Sequence, residues 1–501
     1  MKRMKSILVF SLLILEGTCF SQIWDQKGLT IQGESANSLS GNSVSLSADG
    51  NRIAIGARHN TNASGTSAGH TRVYEWNGSS WTQLGNDIDG EAAGDLSGRV
   101  VSISHDGSIV AIGAYRNDGN GNRSGHVRIY NWDGLSWNQM GADIDGEHPN
   151  DNSSSGSFNR ARGMSLSGSG TRVAIGAFRN DDGGTNAGHV RIFEWNGNAW
   201  NQMGTDLDGA NVGDEFGGSV SMNTNGDILV VGIPGDSTLA ASGGATEVYY
   251  WNGLNWIQKG TTLYGIYSLG ELGAVVGSND NGDIIGTSAP QTNGSGTGRG
   301  AIYIYKWNGT DWDQLGNTIF GAIDNENLGR DFELSSDGET LIAASYGFEF
   351  KVFEHSSTNN LWTQKGNTII VTLQVYENGT HVSIDSSGNV VGCGSETGMN
   401  GEGNTLIFEY DNQFVGIEEM HSQLLVNIFP NPTSNFISIN SYDASIITDL
   451  ELTDLNGKTI QSSGGLNAQK VNMNLNCSSG TYFIKVFLED GRIIVKKIVL
   501  N

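Results

Sequence analysis

Short stretches in which apolar and polar residues alternate, each broken by a two-residue turn, recur along most of the chain. One runs from Val44 to Gly56 around Asp49-Gly50, and the next runs from Val101 to Gly113 around Asp106-Gly107. Alternation with a period of two predicts a half-buried strand, and Asp-Gly between two such runs predicts a hairpin. The same arrangement returns around Ser169-Gly170, Asn225-Gly226, Asn281-Gly282, Asp337-Gly338 and Ser387-Gly388. The pattern therefore predicts seven hairpins.

Two further strands follow each hairpin. A third alternating segment, such as Gly125 to Trp132, leads through a short Asp-Gly or Asn-Gly link into a strand of the type W-x-Q-x-G. This last pattern, complete or nearly so, starts at Trp24, Trp81, Trp137, Trp200, Trp256, Trp312 and Trp362, at intervals of 50 to 63 residues. A repeat of this length with four strands in each unit predicts a seven-bladed β-propeller.

The two ends of the repeat region complement each other. The strand Trp24–Gly28 has no hairpin before it, and the last unit, which ends at Phe414, has no W-x-Q-x-G strand after it. We expect the N-terminal strand to complete the last blade, because a closed ring removes the free sheet edges that promote aggregation. An open array with two exposed ends is the alternative.

The repeat stops near the C-terminus, although the alternation continues. Residues 425–501 predict a compact, Ig-like β-sandwich of about seven short strands. The chain is therefore expected to be all-β, with a signal peptide at 1–21, a propeller at 22–414, a polar linker at 415–424 and the small sandwich at 425–501.

Composition narrows the classes of partner. The chain has 72 Gly and only 5 Pro, which suits many tight turns, and 53 acidic against 28 basic residues give a net charge of −25. Acidic and basic residues balance in 425–501, so the net charge lies in the repeat body. An acidic body argues against nucleic acid as a partner. It fits cation binding or solubility in salt.

The N-terminus predicts export. A basic start containing Lys2, Arg3 and Lys5 precedes the apolar stretch Ser6–Leu15, and small residues stand at Cys19 and Ser21. These features predict a signal peptide cleaved near Gln22. A lipidated Cys19 is the alternative, although Glu16 stands where a lipidation signal has Leu. No later segment reaches the roughly 20 apolar residues of a transmembrane helix.

Two cysteines, Cys393 and Cys477, remain after this cleavage. They fall in different predicted domains, so we expect no disulfide framework.

The body resembles the FG-GAP repeat family, the propeller type also found in integrin α-subunit heads. The best match is the fourth unit, with Phe216-Gly217 before its hairpin and Gly232-Ile233-Pro234 after it. The resemblance covers roughly Trp24 to Phe414. Many family members bind calcium through an Asp-rich loop, but here that loop is a bare turn, so no cofactor is expected. Asn279–Asp283 comes closest to a usable oxygen cluster.

The C-terminal module looks like the type A sorting domain of the type IX (Por) secretion system of Bacteroidota. The resemblance rests on four blocks in order, which contain Pro430, Asn431 and Pro432, then Asp454 and Gly457, then Gly480 and Tyr482, and finally Lys496 and Lys497. It implies Sec export, then translocation across the outer membrane with this module as the address read by the secretion machinery. It also implies cleavage of the module, leaving the body released or anchored at the surface. An accessory Ig-like domain that binds a ligand is the alternative.

The sequence offers few candidates for catalytic or metal-binding residues. His70, His126 and His189 recur at one repeat position. Equivalent positions on successive blades point in different directions, so the three cannot converge on one zinc ion, and repeat duplication explains them. Spacing reveals no Ser-His-Asp set, paired carboxylates or C-x-x-C. We therefore predict no metal site and no enzymatic activity.

Two classes of loop are expected on one face of the ring. The first follows the second strand of a unit and the second follows W-x-Q-x-G. Their candidate ligand-binding residues are Arg58, Arg116, Asp118, Arg179 and Asp181 in the first class, and Asp87, Asp89, Asp143, Asp145, Asp206 and Asp208 in the second. Arg and Asp suit sugar hydroxyls or small polar ligands. Alternatively, they pair with each other and join neighbouring blades.

These features favour a secreted or cell-surface, non-enzymatic binding protein that acts in adhesion or glycan capture, with a glycan or an extracellular protein as ligand. One alternative is a secreted polysaccharide-acting enzyme, which predicts carboxylates or histidines converging on the ring axis. The other is a structural spacer without a ligand.

Overall fold

A computed structural model describes residues 23–157, 162–294, 296–347, 349–371, 380–396, 401–411, 426–429, 433, 435–441, 446–454, 458–489 and 493–500. These residues form strands and turns and no α-helix. Accordingly, they contain no helix that is long and apolar enough to cross a membrane. One compact unit spans Ile23–Asp411, and a second lies within 412–501. The predicted signal peptide, 1–21, and the linker, 415–424, lie outside the described residues.

The first unit contains seven sheets of five strands, numbered here as blades 1 to 7. Blade 1 contains β3 (Ser40–Leu46), β4 (Arg52–Ala57), β5 (His70–Trp76), β6 (Trp81–Gln83) and β7 (Ile88–Asp89). Blade 2 contains β8 (Val100–Ile103), β9 (Ile109–Ala114), β10 (His126–Trp132), β11 (Trp137–Gln139) and β12 (Ile144–Asp145). Blade 3 contains β13 (Met164–Leu166), β14 (Arg172–Ala177), β15 (His189–Trp195), β16 (Trp200–Gln202) and β17 (Leu207–Asp208).

Blade 4 contains β18 (Ser219–Met222), β19 (Ile228–Ile233), β20 (Ala245–Trp251), β21 (Trp256–Gln258) and β22 (Leu263–Tyr264). Blade 5 contains β23 (Val276–Ser278), β24 (Ile284–Ala289), β25 (Ala301–Trp307), β26 (Trp312–Gln314) and β27 (Ile319–Phe320). Blade 6 contains β28 (Asp331–Leu334), β29 (Thr340–Ala344), β30 (Glu349–Ser356), β31 (Leu361–Gln364) and β32 (Ile369–Ile370). Blade 7 contains β33 (Thr380–Ile384), β34 (Val390–Ser395), β35 (Asn404–Asp411), β1 (Ile23–Gln26) and β2 (Ile31–Gln32).

Within a blade, four antiparallel strands lie side by side in the order in which the repeat presents them, and the short fifth strand pairs with the start of the third. In blade 1 this pairing places Asp89 opposite His70. The prediction of four strands was therefore one strand short. Asp89, Asp145 and Asp208, which the sequence assigned to loops, each end a fifth strand.

The seven predicted hairpins are present, and the glycine at each turn explains why. Gly50, Gly107, Gly170, Gly226, Gly282, Gly338 and Gly388 all have φ between 64° and 72°. Only glycine adopts this left-handed region without strain from a Cβ atom. Each turn therefore joins the innermost strand of a blade to its second strand.

The ring is closed, as predicted. Strand β1 pairs with β35 in the register Ile23↔Asp411 to Gln26↔Phe408, so the N-terminal strand completes blade 7. A second closure runs through the hairpin turns, where each backbone N–H donates to the carbonyl oxygen of the next turn. The seven donors, in order, are Ala48, His105, Gly168, Thr224, Asp280, Ser336 and Ser386, and Ser386 donates back to Ala48 at 2.9 Å.

The apolar core of the ring lies between successive sheets. One cluster, for example, combines Val100 and Ile129 of blade 2 with Val173 and Ile175 of blade 3, and all four are at most 2% exposed. Because each blade packs on both neighbours, the ring provides a rigid frame for the loops at its two faces.

The second unit is a β-sandwich of seven strands. These are β36 (Val426–Phe429), β37 (Phe436–Ser441), β38 (Ile447–Thr453), β39 (Thr459–Ser463), β40 (Lys470–Asn474), β41 (Gly480–Leu488) and β42 (Ile493–Leu500). Three form the sheet β36-β37-β40 and four form the sheet β39-β38-β41-β42. One core joins them, with Ile437 and Ile439 from the first sheet and Leu450 and Ile484 from the second. Cys393 in the first unit and Cys477 in the second are both free thiols.

Candidate binding site on the loop-bearing face

The two predicted loop classes lie on the same face of the ring. In blade 1, His70 pairs with Ala57, where the first loop begins, and also with Asp89, where the second segment ends. The same registers recur in blades 2 and 3. The candidate residues of these blades therefore share one end of the ring.

Arg58 joins two blades. Its guanidinium forms a bidentate ion pair with Glu396 at the end of blade 7, and the two side chains are 15% and 5% exposed. The blade-joining alternative therefore describes Arg58, although its partner is a glutamate and not one of the predicted aspartates.

Arg116 and Arg179 instead line a pocket of about 310 Å³. Each guanidinium lies over the aromatic ring that precedes it, 5.3 Å from the centre of Tyr115 and 5.4 Å from the centre of Phe178. These contacts restrict the orientation of both charged groups and leave their edges accessible.

A third arginine, Arg123, completes a basic lining. Among the described residues, the guanidiniums of Arg116, Arg123 and Arg179 form no ion pair and no hydrogen bond with a side chain, and all three residues are exposed. The one acidic residue of the lining, Glu215, accepts a hydrogen bond from the Ser157 hydroxyl. The pocket therefore presents three positively charged guanidinium groups on an otherwise acidic body.

The aspartates of the first loop class stabilise the conformation of their own loops. Asp118 accepts the backbone N–H of Arg123 at 2.7 Å, and Asp181 accepts that of Asn186 at 2.8 Å. Each carboxylate thus holds the shape of its own loop and is not paired with Arg116 or Arg179.

The second loop class contains three pairs of aspartates, and the second member of each pair, Asp89, Asp145 or Asp208, lies on the short fifth strand. The Asp89 carboxylate accepts a hydrogen bond from Asn62 at 2.9 Å. The backbone carbonyls of Asp89 and Asp145 accept hydrogen bonds from Arg128 and Arg191 of the following blade, both at 2.6 Å. Burial raises the pKa of Asp208, and the nearby Asp206 and Asp182 add to this.

The first aspartate of each pair lies beside a recurring histidine and a glutamate. The three groups are Glu34, His70 and Asp87; Glu91, His126 and Asp143; and Glu147, His189 and Asp206. In each group, one ligating atom per residue lies within 4.8 Å of the others. The neighbouring His70 imidazole holds the pKa of Asp87 at about 2.

Sequence reasoning missed these groups. The prediction compared the three histidines with one another, and they lie in separate blades, each with its own carboxylates. The signal that could have found them is that Glu, His and Asp occur together in the same three repeat units.

The ring axis carries a buried polar cluster beside a cavity of about 140 Å³. Arg162 donates to both oxygens of Asp331, at 2.6 and 3.1 Å, and to the backbone carbonyl of Val382 at 2.8 Å. His381 lies 3.4 Å from Asp331, and Glu333 lies 3.6 Å from Arg162. Carboxylates and a histidine thus converge at the centre, as the enzyme alternative requires.

The two axial carboxylates differ in acidity. Burial raises the pKa of Glu333 to about 7, against the opposing charge of Arg162. Burial also disfavours the ionised form of Asp331, but Arg162 and His381 outweigh it and lower its pKa. The cluster joins the inner face of blade 3 to blades 6 and 7.

The oxygen cluster at Asn279–Asp283 is occupied by its own turn. Asn279 Oδ1 accepts the backbone N–H groups of Asp283 and Ile284, at 3.1 and 3.0 Å, and its amide donates to Asp283 at 2.9 Å. These hydrogen bonds use the side chains that a calcium ion would need.

The predicted sorting motif is only partly described, since Pro430, Asn431, Pro432 and Gly457 lie outside the described residues. Asp454 accepts the backbone N–H of Lys458 at 2.9 Å. Tyr482 packs in the core and donates its hydroxyl to the Ser478 carbonyl at 2.8 Å. Gly480 starts β41, and Lys496 and Lys497 lie in β42 opposite Ile484 and Phe483.

Two segments of the chain match known protein families. Residues 88–130 match the FG-GAP repeat, and residues 427–501 match the secretion system C-terminal sorting domain. No curated protein matches the chain.

Two solved structures are similar to the chain. A putative 6-phosphogluconolactonase from Bacteroides uniformis is 13% identical, with a TM-score of 0.45, over 66% of this chain and 85% of that one. The Cps50 (Swd1) β-propeller domain of Myceliophteria thermophila is 10% identical, with a TM-score of 0.47, over 77% of this chain and 99% of that one.

The family matches agree with both resemblances seen in the sequence. The sorting domain supports secretion through the type IX system and implies contact with its machinery. The chain is therefore an exported β-propeller protein that carries an FG-GAP repeat and ends in a secretion system C-terminal sorting domain.

Proposed function

We propose that the exported propeller is a non-enzymatic binding protein that captures an anionic glycan at the pocket lined by Arg116, Arg123 and Arg179. The observation that carries this proposal is the set of three exposed guanidiniums without an ion pair among the described residues. In a chain of net charge −25, a basic residue has many carboxylates available to it. Three arginines around one pocket that pair with none of the described carboxylates therefore favour a ligand that supplies the negative charge.

The shape and chemistry of the pocket suit a substituted sugar. A volume of about 310 Å³ is at the lower end of the roughly 300–1,000 Å³ of small-molecule sites, so it fits about one sugar unit. Guanidinium groups bind carboxylate and sulfate through paired, charge-assisted hydrogen bonds. A polysaccharide that carries uronate or sulfate groups is the ligand class that matches.

The test compares sulfated, uronate-rich and neutral polysaccharides on a glycan array, with the full-length protein in millimolar calcium. We expect binding to the charged polymers only. The double variant Arg116→Ala/Arg179→Ala should lose at least about tenfold in affinity while keeping its unfolding midpoint, since loss of two charge-assisted contacts costs more than 1.4 kcal/mol.

Arg58→Ala provides the matched control. It removes an arginine from the same face, but one that pairs with Glu396, so it should lower the unfolding midpoint and leave glycan binding unchanged. Absence of binding to every charged polymer would contradict the proposal and support a structural spacer. A loss of stability without a binding change in the Arg116/Arg179 variant would show that these arginines join blades.

The axial cluster favours a polysaccharide-acting enzyme in one respect, because acid–base chemistry uses two carboxylates of different acidity, here the buried Asp331 and the half-buried Glu333. The cavity beside them holds only about 140 Å³, well below the volume of a typical ligand site, and this argues against a polymer substrate. Hydrolysis of a charged polysaccharide that disappears in Glu333→Gln would establish the enzyme instead.

We also propose that the chain is processed at both ends, with 1–21 removed on export and the sorting domain removed after translocation. The paired resemblance to a signal peptide and a sorting domain supports this. Mass spectrometry of the secreted protein should find an N-terminus near Gln22 and no peptide from 425–501. Recovery of either segment in the mature protein would contradict that part.

A further inference from the structure

Three buried histidines each face two carboxylates at a boundary between blades. In each group the histidine and aspartate belong to one blade, while the glutamate follows the short fifth strand of the preceding blade. The groups therefore span the boundaries between blades 7 and 1, 1 and 2, and 2 and 3. The first of these boundaries adjoins blade 7, the blade in which the ring closes.

The group at the boundary of blades 1 and 2 shows the geometry. His126 Nδ1 lies 3.5 Å from Asp143 Oδ2 and 3.9 Å from Glu91 Oε2. Ligands about 2.1 Å from an ion lie about 3.0 Å apart at right angles and about 3.4 Å apart at the tetrahedral angle. These two separations are slightly wider than in a loaded site, and all three atoms lie within 4.8 Å of one another, so side-chain rotations would bring them onto one ion.

The remaining oxygen of each carboxylate is held by a second residue. Arg128 Nη1 lies 3.4 Å from Glu91 Oε1, and Gln139 Nε2 donates to Asp143 Oδ1 at 2.7 Å. Each carboxylate is therefore oriented through one oxygen and presents the other to the histidine. Such orienting contacts are characteristic of metal ligands in proteins.

The histidines are buried without a hydrogen bond. His70 and His126 are 1% exposed and His189 is 0% exposed, and neither ring nitrogen of any of them makes a hydrogen bond of acceptable geometry. A buried polar group in this state costs free energy unless it finds a partner. A bound cation between the imidazole and the two carboxylates would supply that partner.

Comparison of the seven blades shows that the three residues occur together. The first residue of the third strand is His in blades 1 to 3, but Ala245, Ala301, Glu349 and Asn404 in blades 4 to 7. The acceptor of the conserved Gln side chain is Asp in blades 1 to 3, but Thr262, Thr318, Thr368 and Thr30 in blades 4 to 7. The residue at the glutamate position is Ala210, Ile266, Ala322 and Thr372 at the four remaining boundaries.

The Gln hydrogen bond is thus present in every blade, whereas aspartate replaces threonine only where histidine and glutamate are also present. A hydrogen bond alone does not need the carboxylate, since threonine also accepts it in four blades, at 3.0 to 3.3 Å. The concerted change to His, Asp and Glu indicates a function that needs all three side chains.

We propose that each of the three groups binds a divalent transition-metal cation, with Zn²⁺ the closest match, and that the bound ions clamp blades 7, 1, 2 and 3 together. An imidazole nitrogen favours Zn²⁺ over Ca²⁺ or Mg²⁺, which prefer oxygen ligands throughout. Three protein ligands leave a fourth position for water or for a group of a ligand. Each ion bridges side chains from two blades, so it opposes separation of neighbouring blades at these three boundaries.

The test measures stoichiometry on untagged full-length protein. After dialysis against EDTA and then against buffered ZnCl₂, plasma mass spectrometry should find about three Zn²⁺ per chain. The double variant His126→Ala/Asp143→Asn should bind about two, and EDTA should lower the unfolding midpoint of the wild-type protein. Addition of ZnCl₂ should restore that midpoint.

Thr318→Ala is the matched control, because Thr318 occupies in blade 5 the position that Asp143 occupies in blade 2. It removes the Gln acceptor without touching any group, so three Zn²⁺ should remain bound. Less than half an ion per wild-type chain, an EDTA-insensitive midpoint, or three ions bound to the His126/Asp143 variant would each overturn the proposal. The groups would then be metal-free ion-pair networks.

Discussion

At the scale of single residues, the tryptophan of the repeat is a link between blades. Each indole N–H donates to a backbone carbonyl in the preceding blade, at 2.7 to 3.1 Å. The seven pairs are Trp24 with Lys365, Trp81 with Lys27, Trp137 with Leu84, Trp200 with Met140, Trp256 with Met203, Trp312 with Lys259, and Trp362 with Leu315. A phenylalanine could fill the same space but could not make this bond. The need for an indole donor explains why the residue recurs.

Replacing one of these tryptophans measures how much its indole hydrogen bond contributes to stability. Trp137→Phe should lower the free energy of unfolding by about 1–3 kcal/mol, because the Leu84 carbonyl loses its donor in a partly buried position. Urea denaturation followed by circular dichroism would measure this. Trp132→Phe is the control, since the ring centre of Trp132 lies 5.3 Å from that of Trp137 and Trp132 is not one of these seven indole donors. Equal losses in both variants would assign the effect to packing.

At the scale of elements, each hairpin turn rests on the blade before it. A Cβ atom added at Gly282 would lie 2.7 Å from Cβ of Ile228, the first residue of β19 in blade 4. Equivalent contacts occur at the other turns, including the contact of Gly50 in blade 1 with Val390 in blade 7. The turn glycine is therefore required twice, by its own backbone conformation and by the neighbouring blade.

Two glycine substitutions separate these requirements. Gly282→Ala should destabilise the protein by about 2–4 kcal/mol, from left-handed strain and from overpacking against Ile228. Gly213→Ala should cost only about 1–2 kcal/mol, since Gly213 has a similar φ of 79° with no atom within 4 Å of the added Cβ. Urea unfolding midpoints would give the difference. Similar midpoints for the two variants would show that the neighbouring blade yields to the extra methyl group.

At the scale of the whole molecule, stability depends on closing the ring. Blade 7 takes its two outermost strands from the N-terminus, and Trp24, 5% exposed, packs in its core. Without these strands, β35 would present an unpaired edge, which invites pairing with another chain. One sheet therefore contains the first two strands and the last three strands of the repeat region.

Truncation tests this closure. A protein comprising residues 33–501 should unfold at a lower temperature than one comprising residues 23–501 and should form dimers or larger species through β35. Light scattering after size-exclusion chromatography would detect the association, and calorimetry would detect the shift. A truncated protein that remains monomeric with an unchanged midpoint would show that six complete blades and an incomplete seventh hold together without the N-terminal strands.

Much of the fold could be read from the sequence, because its signals are local. Strand alternation, the turn glycine and the W-x-Q-x-G motif can each be recognised within a short stretch of sequence, and each recurs in all seven units. The same logic found the closing strand, since an unmatched strand at one end complements a missing strand at the other. The short fifth strand was missed because two residues are too few to show alternation.

The candidate sites were less predictable, because they depend on contacts between blades. Arg116 and Arg179 occupy one repeat position, two residues after the second strand ends, and Arg58 lies one position earlier, directly after Ala57. Arg58 pairs with Glu396, while the other two line a pocket. This offset separates Arg58 from the other two arginines, but it does not identify its partner, since Glu396 lies 338 residues from Arg58.

The sequence by itself determined the repeated hairpins, the number of blades, the sandwich and the export address, because turn chemistry and strand periodicity act over short distances. Only the tertiary structure decided which arginines are free, that carboxylates and His381 meet on the axis, and that each buried histidine faces two carboxylates. The physical reason is that packing of one blade on the next sets these contacts, and distances between side chains on neighbouring sheets are not encoded in their spacing along the chain.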